Sequence, residues 1–72
     1  MKTLVIKRSV ILDGHKTSIS LENEFWDGLR DIADYENVSM SALVSKIAHN
    51  RNNINLSSSI RLFVFNHFRT RG

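Results

Sequence analysis

A short alternating segment at residues 15–21 constrains the fold of this chain more than any other feature. Its apolar or β-branched residues alternate with polar ones: Thr17, Ile19 and Leu21 with Lys16, Ser18 and Ser20. This period of two predicts a strand with one buried and one exposed face. A strand needs a partner for its backbone N–H and C=O groups. We expect that partner to be either residues 3–12 of the same chain or the same strand of a second copy.

Three amphipathic segments follow the strand and predict three helices. The first covers about residues 22–36, the second runs from Met40 to about Asn50, and the third covers about residues 56–69. Asn37 is predicted to end the first helix in the left-handed conformation, and Ser39 to cap the second. The third helix has an apolar stripe that Leu62 and Phe65 widen: Leu56, Ile60, Phe63, Val64 and Phe68. We expect its aromatic residues, Phe63, Phe65 and Phe68, in the core. Residues 51–55 are predicted to form a loop.

The size and composition of the chain favour association with a second copy. A single domain of 72 residues buries little of its surface and is only marginally stable alone. The chain has no cysteine, and His15, His49 and His67 share no ligand spacing, so disulfides and metal sites are not expected. Homodimerisation is therefore the predicted stabiliser. The lack of cysteine is compatible with a cytoplasmic location, which we expect.

Two classes of function are not expected from this sequence. No apolar stretch approaches the ~20 residues that a membrane-spanning helix needs, so we expect no membrane partner. No nucleophile–base pair, carboxylate dyad or phosphate-binding loop can be assembled from the sequence. We therefore expect a protein that is not an enzyme and has neither catalytic residues nor a metal or cofactor.

The charges of the chain are separated along the sequence. The net charge is +3, and all 7 acidic residues lie between Asp13 and Glu36. The segments on both sides of this acidic middle carry basic residues and no acid. Such a distribution favours one surface that faces a polyanion and one that faces solvent.

Pairing of the 16–21 strand with its own copy would produce a two-stranded antiparallel ribbon. One face would bury Thr17, Ile19 and Leu21, and the other would expose the alternate residues Lys16, Ser18 and Ser20. A two-stranded ribbon fits the major groove of DNA, where lysine and serine side chains can hydrogen-bond to base edges.

The ordered combination of this strand with two helices resembles the ribbon-helix-helix family of MetJ/Arc-like repressors. The matching residues are Lys-Thr-Ser-Ile-Ser-Leu-Glu-Asn-Glu-Phe-Trp at 16–26 and Ser-Met-Ser-Ala-Leu-Val-Ser-Lys-Ile at 39–47. Residues 8–22, with a later Asn-Leu-Ser-Ser-Ser-Ile-Arg-Leu-Phe-Val at 55–64, are similar to a small bacterial subgroup with an N-terminal extension and a C-terminal helix. The resemblance implies a mainly α fold with a short β ribbon, a dimer with intermolecular antiparallel strands, and a third C-terminal helix.

The resemblance also implies roles for particular residues. Lys16, Ser18 and Ser20 match the base-contacting positions of the family's strand. Ser39, Met40 and Ser41 match the start of the second helix, whose N-terminal amides bind a DNA phosphate. A helix N-terminus has an independent affinity for anions, since its N–H groups and dipole favour negative charge. Arg51 and Arg61 are expected to reach a carboxylate of the first helix or a partner chain.

The N-terminal segment leaves three arrangements open. Asp13-Gly14 is a two-residue turn signal that would fold residues 8–12 back onto 15–19 as a hairpin, widening the dimer ribbon to four strands. Alternatively the segment peels away as an arm that places Lys7 and Arg8 on DNA phosphates, or it pairs elsewhere in the dimer. The chain accordingly divides into an arm or extra strand at 1–14, a ribbon-helix-helix core at 15–50 and a C-terminal helix at 51–72.

These observations predict a homodimeric, sequence-specific regulator of transcription, a repressor or antitoxin-like protein, that binds double-stranded DNA through the major groove. Assembly beyond the dimer on DNA stays open. The alternative is a dimeric protein-interaction module that holds a protein partner through the C-terminal helix or the N-terminal arm, without specific DNA binding.

Overall fold

The computed structural model of the protein describes residues 4–50 and 55–71. Its elements are β1 (Val5–Leu12), β2 (His15–Glu22), α1 (Asn23–Glu36), α2 (Met40–His49) and α3 (Leu56–Arg71). The strands form an antiparallel hairpin, α2 lies against β1, and α3 packs against α1, α2 and β2. This order confirms the predicted mainly α fold with a β ribbon and a third, C-terminal helix. Most of the predicted loop, residues 51–54, lies outside the described residues.

The Asp13-Gly14 turn sets the geometry of the hairpin. Both residues have positive φ angles, 53° for Asp13 and 81° for Gly14, as the central residues of a type I′ turn require. The strands pair along their whole length, from Leu12 opposite His15 to Val5 opposite Glu22. Of the three arrangements that the sequence left open, the structure therefore shows the hairpin for residues 5–12.

Pairing of β2 with a second copy of itself stays a prediction. Because β1 occupies one edge of β2, such pairing could use only the other edge of β2. The resulting sheet would have four strands in the order β1, β2, β2 of the partner and β1 of the partner. The hairpin thus gives β2 the partner it needs within its own chain.

The core lies between the inner face of the hairpin and the three helices. The hairpin contributes Val10, Ile19 and Leu21, and the helices contribute buried residues at helical spacing: Leu29, Ile32, Ala33, Leu43, Val44, Ile47, Ile60 and Val64. Ile19 and Leu21 are buried while their sequence neighbours Ser18 and Ser20 are exposed, so the predicted alternation of β2 is confirmed.

The prediction that the aromatic residues of α3 belong to the core was wrong for Phe65 and Phe68. Ile60 and Val64 are buried, but Leu62, Phe65 and Phe68 are 50%, 57% and 45% exposed. The physical reason is the small size of the chain, since α3 packs with one face on α1, α2 and β2 and no further described element covers its other side.

Capping residues mark the boundaries of the helices. Asn37 ends α1 with a φ of 60° in the left-handed region, as predicted. The Ser39 side-chain Oγ accepts a hydrogen bond of 3.0 Å from the Ala42 amide, which confirms Ser39 as the cap of α2. The Asn55 side chain accepts a hydrogen bond of 2.9 Å from the Ser58 amide at the start of α3.

Candidate nucleic-acid interface

The hairpin presents one exposed face, which we call the outer face. In an antiparallel pair, residues directly opposite each other project to the same side. The pairing register therefore places eight residues on the outer face as four facing pairs: Val5 with Glu22, Lys7 with Ser20, Ser9 with Ser18, and Ile11 with Lys16. All of these are exposed except Glu22, which is partly buried. The inner face, by contrast, holds Val10, Ile19 and Leu21 in the core.

The three predicted base-contacting residues all lie on the outer face. Lys16, Ser18 and Ser20 are exposed and follow one another at every second position of β2. This spacing repeats about every 6.6–6.8 Å along a strand, so the three side chains form a single row. The structure therefore brings them together in the arrangement that base contact requires, and the contact itself stays a prediction.

Sequence reasoning missed two further residues of this face, Ser9 and Ile11 on β1. Ser9 faces Ser18 and Ile11 faces Lys16, and both β1 residues are exposed. The signal was present, because Lys7, Ser9 and Ile11 alternate with the buried Val10 in the same period of two that identified β2. The pattern alone does not reveal it, because β1 carries β-branched residues on both faces, Val5 and Ile11 on the outer face and Ile6 and Val10 on the inner one.

The structure places the two predicted N-terminal phosphate contacts on opposite faces of β1. Lys7 is exposed on the outer face, opposite Ser20. Arg8 lies on the inner face, with its guanidinium carbon 4.9 Å from the centre of the Trp26 ring. Arg8 also donates hydrogen bonds to the Leu21 carbonyl and to the Asn23 side chain. Lys7 is thus placed beside the predicted base contacts, and Arg8 ties β1 to the start of α1.

Glu22 is the acidic residue of the outer face, and its charge is balanced within the chain. Arg61 of α3 donates a hydrogen bond of 2.8 Å to its carboxylate. The expected partner was a carboxylate of the first helix, whose predicted range begins at residue 22; the structure places Glu22 at the end of β2, directly before α1. This hydrogen bond is the main cause that lowers the pKa of Glu22 below its ordinary value of 4.5. The remaining charged residues of the outer face, Lys7 and Lys16, are both basic, so the face is suited to a polyanion. Arg51 lies outside the described residues.

The start of α2 flanks the outer face on the side of β1. An open cleft of about 230 Å³ is lined by Ser9, Ile11 and Lys16 from the hairpin and by Met40 and Ser41 from α2. The Ser39 side chain accepts the hydrogen bond of the Ala42 amide. The amides of Met40 and Ser41 belong to the first turn of the helix and have no acceptor within it. Met40 and Ser41 therefore lie across this cleft from β1 and from Lys16, while Ser39 is not among the residues that line it.

A second cleft lies along the free edge of β2. Its volume is about 550 Å³, and Thr17, Ser18 and Ser20 line it from the strand, with Asn55 and Arg61 opposite them on the side of α3. The hairpin is thus bordered on each edge by the beginning of a helix, α2 along β1 and α3 along β2.

Within the described part of the chain, none of the helices is both long and apolar enough to cross a bilayer. Residues 4–50 and 55–71 also contain no cluster of three side chains suited to binding a metal ion.

Comparison with known proteins identifies the family of this chain. The model of the ribbon-helix-helix domain family matches residues 5–68, which include the hairpin, all three helices except the end of α3, and the candidate interface. No curated protein and no solved structure gives a significant match. The family match covers well over half of the chain and agrees with the observed order of ribbon and helices, so the protein belongs to the ribbon-helix-helix family.

Proposed function

We propose that the protein is a sequence-specific DNA-binding regulator of transcription, a repressor or antitoxin-like protein, that acts as a homodimer. The domain family to which the chain belongs generally binds DNA as transcription regulators. The observation that carries the proposal is the outer face of the hairpin, where two lysines and three serines are exposed together and the acidic residue is paired with Arg61.

The proposed binding mode inserts the outer face into the major groove. Lys16 would donate to the O6 and N7 acceptors of guanine, and Ser18 and Ser20 would donate to or accept from neighbouring base edges. These contacts would give sequence preference, since each base pair presents a distinct pattern of donors and acceptors in that groove. The burial of Ile19 and Leu21 beneath the same strand holds the three side chains in register.

Phosphate contacts would fix the position of the hairpin on the duplex. The free amides at Met40 and Ser41, together with the Ser39 cap, form the anion-binding end of α2 beside the outer face. Lys7 would add a phosphate contact from the outer face itself. For Arg8 the same role requires its guanidinium to leave the Trp26 ring and the Asn23 side chain.

The proposed homodimer follows from the exposed apolar surface of a small chain. Leu62, Phe65 and Phe68 of α3 are all about half exposed, and a second copy would cover such surface. A dimer would also place two hairpins on two half-sites of a palindromic operator. Further assembly on DNA and a cytoplasmic location stay predictions.

Binding-site selection from a random pool of duplex DNA tests the proposed function. We expect enrichment of one short motif, with an affinity that falls linearly with salt on logarithmic axes because bound phosphates release counterions. A pool that shows no enriched motif after several rounds at low salt would contradict sequence-specific binding.

The exposed side of α3 favours the protein-interaction module as a second candidate. Here the same apolar residues would hold a protein partner, and the outer face would have no role in DNA binding. Absence of DNA binding at low salt, together with a stoichiometric protein partner that Phe65→Ala releases, would favour this candidate over the regulator.

A further inference from the structure

The cleft between β1 and the start of α2, which we call the β1 cleft, has a mostly apolar lining. Its apolar side chains come from three elements: Val10 and Ile11 of β1, Trp26 of α1 and Met40 of α2. Ile11 is 46% exposed, and Trp26 and Met40 are only partly buried, so these side chains leave apolar surface open to water. Covering such surface is favourable, because it removes apolar atoms from water.

The size of the β1 cleft favours a small molecule. Its volume is about 230 Å³. An apolar cavity of roughly 150 Å³ is large enough to bind benzene. The β1 cleft therefore has room for one small ring or one short alkyl chain, together with a polar head group at its open side.

The charges around the β1 cleft favour an anionic head group. Lys16 is the charged residue of its lining, and within the described part of the chain it forms no salt bridge. The guanidinium carbon of Arg8 lies 4.9 Å from the centre of the Trp26 ring and adds a second positive charge nearby, and its hydrogen-bond acceptors are both uncharged. The amides of Met40 and Ser41 at the start of α2 add donors. No acidic side chain is part of the lining.

We propose that the β1 cleft binds a small amphipathic carboxylate, with its apolar part against Trp26 and Met40 and its carboxylate at Lys16. A compound of this class combines the burial of apolar surface with a charge-assisted hydrogen bond to the lysine. Lys16 is also a proposed base contact, so the carboxylate and DNA compete for the same side chain. This competition rests on the proposed DNA-binding function, whereas the ligand site does not.

The fluorescence of Trp26 tests the ligand site directly, because Trp26 lines the cleft and is the only tryptophan of the chain. Titration of the full chain with hexanoate should change this fluorescence in a saturable way. Hexan-1-ol and hexylamine are the matched controls, since they carry the same alkyl chain with a neutral and a cationic head group. Hexan-1-ol should bind about three- to tenfold more weakly than hexanoate, and hexylamine more weakly still, because Lys16 repels it.

Two results of this titration would overturn the ligand site. One is equal affinity for the three compounds, which would show that the head group is not recognised. The other is the absence of a saturable fluorescence change together with unbroadened hexanoate signals in NMR spectra recorded with the protein.

Substitutions assign the two parts of the ligand to their residues. Lys16→Ala should weaken hexanoate binding about three- to tenfold and change hexan-1-ol binding less than about twofold. Ile11→Ala should weaken both compounds to a similar extent, because it removes apolar lining and no charge. Lys46→Ala, a lysine of α2 beside Glu36, and Leu62→Ala, an exposed apolar residue of α3, are the controls and should change neither. A preference for hexanoate that survives in Lys16→Ala would overturn the assignment of the carboxylate to Lys16.

Binding of the selected DNA site in the presence of hexanoate tests the competition. Saturating hexanoate should lower the affinity of the native protein for this site about fivefold or more, compared with the same concentration of sodium chloride. If the native protein selects no DNA motif, the proposed function fails, and the fluorescence titration still decides the ligand site. If it selects a motif and hexanoate binds without lowering the affinity for DNA, the competition for Lys16 is wrong and the function stands.

Discussion

The two faces of the hairpin are built from the same two strands but have different neighbours. On the inner face, Ile19 and Leu21 are almost fully buried among the helices, and Arg8 is bound to Trp26 and Asn23. On the outer face, Ser18 and Ser20 sit between those buried residues in sequence and are exposed. A period of two thus separates the residues that stabilise the fold from those available for a partner. Substitutions on the inner face should change stability, and substitutions on the outer face should change binding.

The largest effect is expected on the inner face at Leu21. Leu21→Ala removes a side chain with 0% exposure and should lower the free energy of unfolding by about 2–5 kcal/mol. Its neighbour Ser20→Ala, on the outer face, should change that free energy by less than about 0.5 kcal/mol. Urea unfolding followed by circular dichroism measures both. Equal losses in the two variants would contradict the separation of the faces.

The next effect is expected on the outer face at Lys16. Lys16→Ala should weaken binding to the selected site by about 1–3 kcal/mol, because a base contact and a positive charge are lost. Lys46→Ala is the matched control, since Lys46 lies on α2 with its ammonium 3.8 Å from the Glu36 carboxylate. Fluorescence anisotropy at several salt concentrations measures both. If Lys16→Ala weakens binding to every DNA sequence by the same factor, Lys16 contacts a phosphate and does not read bases.

Substitution of Ser39 should change both the stability of the fold and the affinity for DNA. Ser39→Ala removes the cap of α2 and should lower the free energy of unfolding by about 1 kcal/mol. It should also weaken DNA binding to all sequences alike, because the end of α2 is proposed to hold a phosphate. Ser39→Asp restores a capping side chain but adds a negative charge, so it should recover stability and bind DNA still less. Full DNA binding by Ser39→Asp would exclude a phosphate at this helix end.

The smallest effect is expected at Glu22, the outer-face residue that pairs with Arg61 of α3. The hydrogen bond from Arg61 lowers the pKa of Glu22 in the folded protein. The ion pair therefore stabilises the fold at pH values above 4.5, the ordinary pKa of this carboxyl group. This contribution is lost as the pH falls through the lower pKa of the folded state. The stability difference between the native chain and Glu22→Gln should therefore shrink as the pH is lowered from neutral to below that pKa. A difference that stays constant over this range would contradict the pairing.

Much of this fold could be predicted because local patterns specify it. The alternation of β2, the positive-φ turn at Asp13-Gly14 and the caps at Asn37 and Ser39 depend on neighbouring residues and were correct. The pairing partner of β2 could not be decided, because residues 5–12 and a second copy of β2 offer equivalent backbone groups. The exposure of Phe65 was missed for a related reason, since apolar spacing identifies a helix face but not whether another element covers it.

The sequence predicted the β2 residues of the candidate site but not those of β1. Lys16, Ser18 and Ser20 follow from the alternation of one strand, and the structure places them together as expected. Ser9 and Ile11 join them only through the strand register, which is a long-range property. The inner position of Arg8 likewise depends on contacts with Trp26 and Asn23 that no local pattern reveals.

The most direct test of the separation between the faces is one variant measured in two ways. The combined variant Lys16→Ala, Ser18→Ala and Ser20→Ala alters only exposed positions of β2. We predict that its free energy of unfolding in urea equals that of the native chain to within about 1 kcal/mol. Its affinity for the selected DNA site should fall to its affinity for unrelated DNA. A variant that folds normally and still prefers the selected site would contradict the proposal that the outer face reads DNA.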